Sequence, residues 1–103
     1  MGDHAVIVHF QYGSTDLWRL FALEDELERA IVAAGAGEFD GNEVAADGSD
    51  GYLYMYGPDA DQLFAAVRPA LEASAFMRGA RVQLRYGPPE DGVKEREIEL
   101  GEP

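Results

Sequence analysis

Hydrophobic and polar positions along the chain change period four times, and each change marks an element. His4 to Tyr12 (HAVIVHFQY) is rich in β-branched and aromatic residues, and Gly13 and Ser14 punctuate its end, which predicts a strand. Apolar residues on both of its faces suit a central place in a sheet. From Thr15 or Asp16 to Ala34 the spacing becomes helical, with Leu20, Leu23, Leu27, Ile31 and Ala34 on one stripe and Gly35 and Gly37 as stop signals. Glu38 to Ala46 offers only Phe39 and Val44 as strong inward candidates, so a weak edge strand is expected there, with a bulge or tight turn at Gly41.

Asp47 to Gly51 is a turn cluster, and Tyr52 to Tyr56 (YLYMY) is the most strand-like segment of the chain, so the two flanking strands should form a hairpin. A second helix should open at Gly57, Pro58 and Asp59. Asp59 is its N-cap candidate, Gln62 completes a capping-box pattern, and Leu63, Phe64, Val67, Ala70 and Leu71 form its buried stripe. Pro69 lies inside that stripe and predicts a bend or early break, because it removes a donor and crowds the Ala65 carbonyl. After Gly79, Arg81 to Tyr86 (RVQLRY) and Val93 to Leu100 (VKEREIEL) alternate cleanly around the turn-rich Gly87 to Gly92, which predicts a closing hairpin.

The order βαββαβ plus one strand predicts an α+β fold: a split βαββαβ, ferredoxin-like, two-layer sandwich with an added C-terminal strand, in one domain spanning residues 1–103. From edge to edge the strands should run second, third, first, fourth, fifth. With both helices on one face, alternation assigns the other face residue by residue. Val82, Leu84 and Tyr86 go inward with Leu53 and Met55, leaving Arg81, Gln83 and Arg85 outward. Tyr52, Tyr54 and Tyr56 form an outward row, His9 and Gln11 lie between the rows, and Glu38 and Asp40 join at the edge. Glu95, Glu97 and Glu99 should stand across from Arg85, Gln83 and Arg81 as ordinary cross-strand pairs.

Composition narrows the function classes. The chain is 47% apolar and 11% aromatic, enough to build a core rather than remain disordered. A formal charge of -12 repels phosphate backbones and anionic membranes, so neither nucleic acid nor membrane is an expected partner. The absence of cysteine removes disulfides, thiolate metal sites and cysteine nucleophiles. With no charged start and apolar h-region, and no apolar run of membrane-spanning length, a cytoplasmic location is expected.

Candidate chemistry is sparse. Glu38, Asp40, Asn42 and Glu43, with Asp47 and Asp50 nearby, are hard oxygen ligands, but their spacing fits no EF-hand loop and a charged edge strand also guards against aggregation. His4 and His9 are an odd number of residues apart, hence on opposite faces of one strand. Ser14, Ser49 and Ser74 lack a nucleophile-elbow context, and no P-loop or dinucleotide fingerprint is present. No catalytic residue, metal site or cofactor is assigned, and an enzyme is not expected.

The motifs LEDELE (Leu23 to Glu28), GEFDGNE (Gly37 to Glu43) and YMYGPDADQLF (Tyr54 to Phe64) resemble those of a family of small uncharacterised bacterial proteins. The resemblance spans most of the chain and implies one intact domain without assigning an activity. The leading expectation is a non-catalytic module for protein interaction or self-association. Its candidate partner-binding residues are Tyr52, Tyr54, Tyr56, Arg81, Arg85, His9 and Gln11, because tyrosine and arginine supply large contact areas with polar tips. The same tyrosines also suit a half-covered sheet surface or a dimer seam. The alternatives are an acidic inhibitor or immunity-like protein for a basic partner, and a small-ligand or divalent-cation sensor using Glu38, Asp40 and Glu43.

Overall fold

A computed structural model describes residues 3–101. Strand β1 (His4–Gln11) leads to helix α1 (Trp18–Ala34), the hairpin β2 (Glu38–Val44) and β3 (Asp50–Gly57), and helix α2 (Ala60–Ala73). A short 3-10 turn (Ala75–Met77) then precedes β4 (Arg81–Arg85) and β5 (Glu95–Glu99). The protein is α+β, with an antiparallel five-stranded sheet in the order β2-β3-β1-β4-β5. That order is the one laid out from the sequence, with β1 in the centre and β2 at an edge.

Register explains which side chains the helices cover. Three rows run across the inner face: Phe39, Met55, Val6, Leu84 and Arg96; Asn42, Leu53, Val8, Val82 and Ile98; and Val44, Gly51 and Phe10. The middle of each row is apolar and buried, and its polar members sit at the sheet edges. Leu20, Leu23, Leu27 and Ile31 of α1 join Leu63, Phe64, Val67 and Leu71 of α2 against these rows in one hydrophobic cluster. Helical and strand periods thus converge on a single core, and its burial supplies the main drive for folding. On the solvent side of α1, Trp18 and Val32 remain 76% and 71% exposed.

Local chemistry shifts several boundaries from those read in the sequence. α1 begins at Trp18 rather than Thr15 or Asp16, because the Asp16 carboxylate accepts the Trp18 N–H at 3.0 Å and forms a turn that precedes the helix. Gly35, in the left-handed region, closes α1 as expected. α2 continues through Pro69 for a further four residues instead of breaking there. Only one backbone bond is forfeited at the proline, while Phe64 and Val67 before it and Leu71 after it are buried, so packing holds the turn together.

The start of α2 is capped from two sides. Asp59 accepts from the backbone N–H groups of Asp61 and Gln62 at 2.9 and 3.1 Å, which confirms it as the N-cap. The remaining first-turn donor, Ala60 N–H, is taken by His4 Nδ1 at 3.0 Å, and Tyr86 meets the His4 ring edge-on. His4 therefore works on the helix side of β1 and His9 on the other.

Candidate functional site

The side of the sheet away from the helices carries three rows in register: Glu43, Tyr52, His9, Arg81 and Glu99; Gly41, Tyr54, Ile7, Gln83 and Glu97; and Glu38, Tyr56, Ala5, Arg85 and Glu95. Asp50 and Gln11 add a fourth pair at one end. All seven residues singled out in the sequence lie on this face. Parity along β3 follows the expected sense, with Leu53 and Met55 wholly buried, Tyr52 38% exposed, and Tyr54 and Tyr56 half-buried.

One expected member is misplaced. The register slips between Phe39 and Gly41, so Asp40 falls in a β-bulge without a cross-strand partner. The bulge reverses parity beyond it. Glu43 rather than Asp40 stands beside the tyrosines, and Asn42 turns to the helix side, where it donates to the Glu24 carboxylate at 2.5 Å. The oxygen-rich segment is consequently split. Among the described residues, no group of three or more His, Asp or Glu side chains is gathered as a metal site would require.

Residues that the pattern alone did not bring in complete the surface. β3 starts at Asp50, two positions before Tyr52 and on the same face, and Asp50 holds His9 Nε2 at 2.8 Å. The His9 ring stacks on Tyr52 with centroids 4.5 Å apart and planes inclined by 18°, and Tyr52 in turn lies 6.1 Å from Tyr54 at 17°. Tyr54 donates its hydroxyl to Glu43 Oε1 at 2.8 Å. Asp50, His9, Tyr52, Tyr54 and Glu43 thus form a continuous ladder of aromatic planes with a carboxylate at each end. Both ends are partnered, which fixes the rings without burying them. Ile7 and Ala5 were also missed; Ala5 is wholly buried between Tyr56 and Arg85, although it belongs to the outer face.

Beside the ladder, Glu43, Val44, Ala45, Asp50, Gly51 and Tyr52 line an open cleft of about 370 Å³. At the other side of the face, Glu95, Glu97 and Glu99 stand in register with Arg85, Gln83 and Arg81 as expected, yet no Arg–Glu ion pair forms among the described residues there. Arg85 instead donates to the Gly87 carbonyl at 2.8 Å, and Arg81 is exposed. A histidine held by a carboxylate is also half of many hydrolytic sites. Here the His9 ring is stacked on a tyrosine, and among the described residues no serine hydroxyl bonds to it.

Proton affinity is strongly altered at one point of the ladder. The hydrogen bond to Glu43 raises the Tyr54 phenol from 10.0 to about 12, helped by partial desolvation and by the nearby negative charges. The folded value lies above the unfolded one, so the stabilisation from this bond is complete below the ordinary tyrosine value and is lost as pH rises through about 12. Tyrosinate absorbance should therefore show a phenol that ionises only as pH approaches about 12. Glu43→Gln should bring it back toward 10.0. Superimposable titrations of the two proteins would remove the bond from the description of the face.

Among the described residues no helix is long and apolar enough to cross a membrane. Comparison with known proteins gives no matching family model, no matching curated protein and no matching solved structure, so the reading of this face rests on its own chemistry.

Proposed function

We propose that this protein is a non-catalytic interaction module whose open sheet face docks a protein, either a partner or a second copy of the chain. The observation that carries the reading is the Tyr52, Tyr54 and Tyr56 row, with Tyr52 and Tyr54 held by stacking and by the bond to Glu43, on a sheet face that no helix or strand covers among the described residues. Tyrosines ordered before binding lose little side-chain freedom on association, and they bring both apolar area and a hydrogen-bonding tip. We read the strand order as a ferredoxin-like split βαββαβ with β5 added beside β4, a topology that leaves one sheet face open by construction. We place the protein's action in the cytoplasm.

The test is affinity capture from native cells with the wild-type protein and with the Tyr52→Ala, Tyr54→Ala, Tyr56→Ala triple variant, accompanied by light scattering. Loss of a central tyrosine contact weakens a protein complex by about 2 kcal/mol or more, roughly thirtyfold in affinity. The triple variant should accordingly lose a retained protein or, for self-association, become monomeric where the wild type is not. A monomeric wild type that retains the same proteins as the variant would refute the docking face.

A further inference from the structure

The open face is chemically divided, and the division specifies what it can receive. Between Arg29 and Arg68 the sequence contains no lysine or arginine, and this stretch includes the whole of β2 and β3. Glu38, Asp40, Glu43, Asp47 and Asp50 lie within it. The cations of the face, Arg81 and Arg85, are both on β4, two strands from the tyrosines and thus about 10 Å away, each facing a glutamate of β5 in register. The β2–β3 half is therefore aromatic and acidic, with His9 its nearest basic group.

We propose, resting on the docking reading above, that this half receives an arginine-rich extended segment of a basic protein. Its guanidinium groups lie against the ring surface that the His9–Tyr52–Tyr54 stack leaves uncovered and pair with Glu43 and Asp50 at its two ends. Each of these carboxylates uses one oxygen on the ladder, Oε1 of Glu43 for Tyr54 and Oδ2 of Asp50 for His9. Among the described residues its second oxygen has no side-chain partner and can accept from a guanidinium. A guanidinium is planar and weakly hydrated, so it stacks on an aromatic plane while donating at its edge, which a compact ammonium cannot do. The field of a chain carrying -12 attracts such a segment before contact, and the acidic half orients it.

A second copy fits this half less well. A twofold axis along β1 would lay the Tyr52 and Tyr56 of one copy over the Arg81 and Arg85 of the other, because β3 and β4 flank β1 symmetrically. The same axis sets the Glu38 and Glu43 edge against the Glu95 and Glu99 edge of the other copy. It also brings together two chains of charge -12. Tyrosine over tyrosine and arginine over arginine is the outcome of the perpendicular axis, which is worse.

The experiment is a backbone-amide NMR titration of the whole protein with two synthetic extended peptides identical except that one carries arginine and the other lysine at alternate positions. The arginine peptide should shift the amides of β2 and β3 around Tyr52 and bind about fivefold or more tightly than the lysine peptide. Tyr52→Ala, and separately Glu43→Gln with Asp50→Asn, should each weaken it by about tenfold, while Glu97→Gln on β5 should change it less than about twofold. Added salt should weaken the complex. Equal affinities for the two peptides, shifts spread over every acidic surface, or reversible dimerisation through β3 in place of peptide binding would each overturn the proposal. Should the triple tyrosine variant lose its captured partner while the arginine peptide fails to bind, the docking face stands and only the basic partner is refuted. A bound arginine peptide with an unchanged captured set refutes the face as the docking site in the cell.

Discussion

Leu53→Ala should lower the unfolding free energy by about 3 kcal/mol, within the roughly 2–5 kcal/mol range for truncating a buried leucine. Tyr54→Ala, one residue further along the same strand, should cost less, about 1–2 kcal/mol. Leu53 is wholly buried in the row with Val8 and Val82 beneath the helices, so its removal leaves a hole that the close-packed core around it cannot fully close. Tyr54 stands on the opposite face, half-buried, and loses the hydrogen bond to Glu43 and its stacking on Tyr52. In a domain of this size each kcal/mol moves the melting temperature by about 4–8 °C, so circular dichroism melts would separate the two variants. The comparison tests the premise under the whole docking surface. A larger loss for Tyr54→Ala than for Leu53→Ala would mean that β3 faces the other way, and the ladder, the cleft and the basic partner would fall with it.

That premise was legible in the sequence because it depends only on a period of two. YLYMY allows a single sensible division, small and aliphatic residues inward and tyrosines outward, and the helical stripes at Leu20 to Ile31 and Leu63 to Leu71 supply the layer that buries the inward set. The closing hairpin was legible for the same reason, since RVQLRY and VKEREIEL place arginine opposite glutamate in one register. What escaped are events that local pattern does not encode. The bulge after Phe39 inserts one residue and exchanges the roles of Asp40 and Glu43, and Gly41 indicated that something irregular would happen without saying which way parity would go. Asp50 looked like part of a turn because its neighbours are Asp, Gly and Ser; its place in β3 comes from pairing with Gln11 and from His9, both distant in sequence. His4 as a cap for Ala60 is likewise a tertiary event, spanning 56 residues. The members of the candidate face were thus mostly readable, whereas the ladder that orders them was not.

The second large effect concerns how closely the edge strand β2 is set against β3. Gly37 immediately precedes β2 and has φ of 142°, and a Cβ there would run into the Tyr56 carbonyl oxygen and stand 2.8 Å from Gly57 Cα. Gly57 is pressed reciprocally against the Ala36 carbonyl, so two backbones touch where only hydrogens fit between them. Gly37→Ala should therefore destabilise the protein by at least about 3 kcal/mol, since the 1–3 kcal/mol cost of a side chain at such a φ is joined by a backbone clash that no rotamer relieves. Gly13 provides the control. It has φ of 84° but nothing within 4 Å of a Cβ, so Gly13→Ala should cost only the conformational part, about 1–2 kcal/mol. Thermal melts of the two variants measure the difference, and hydrogen exchange should show the Gly37→Ala loss concentrated in the Glu38–Tyr56 end of the β2–β3 pairing. Equal costs for the two substitutions would mean that β2 does not approach β3 so closely, and that Glu43 is not fixed beside Tyr52 and Tyr54 by the packing of that hairpin.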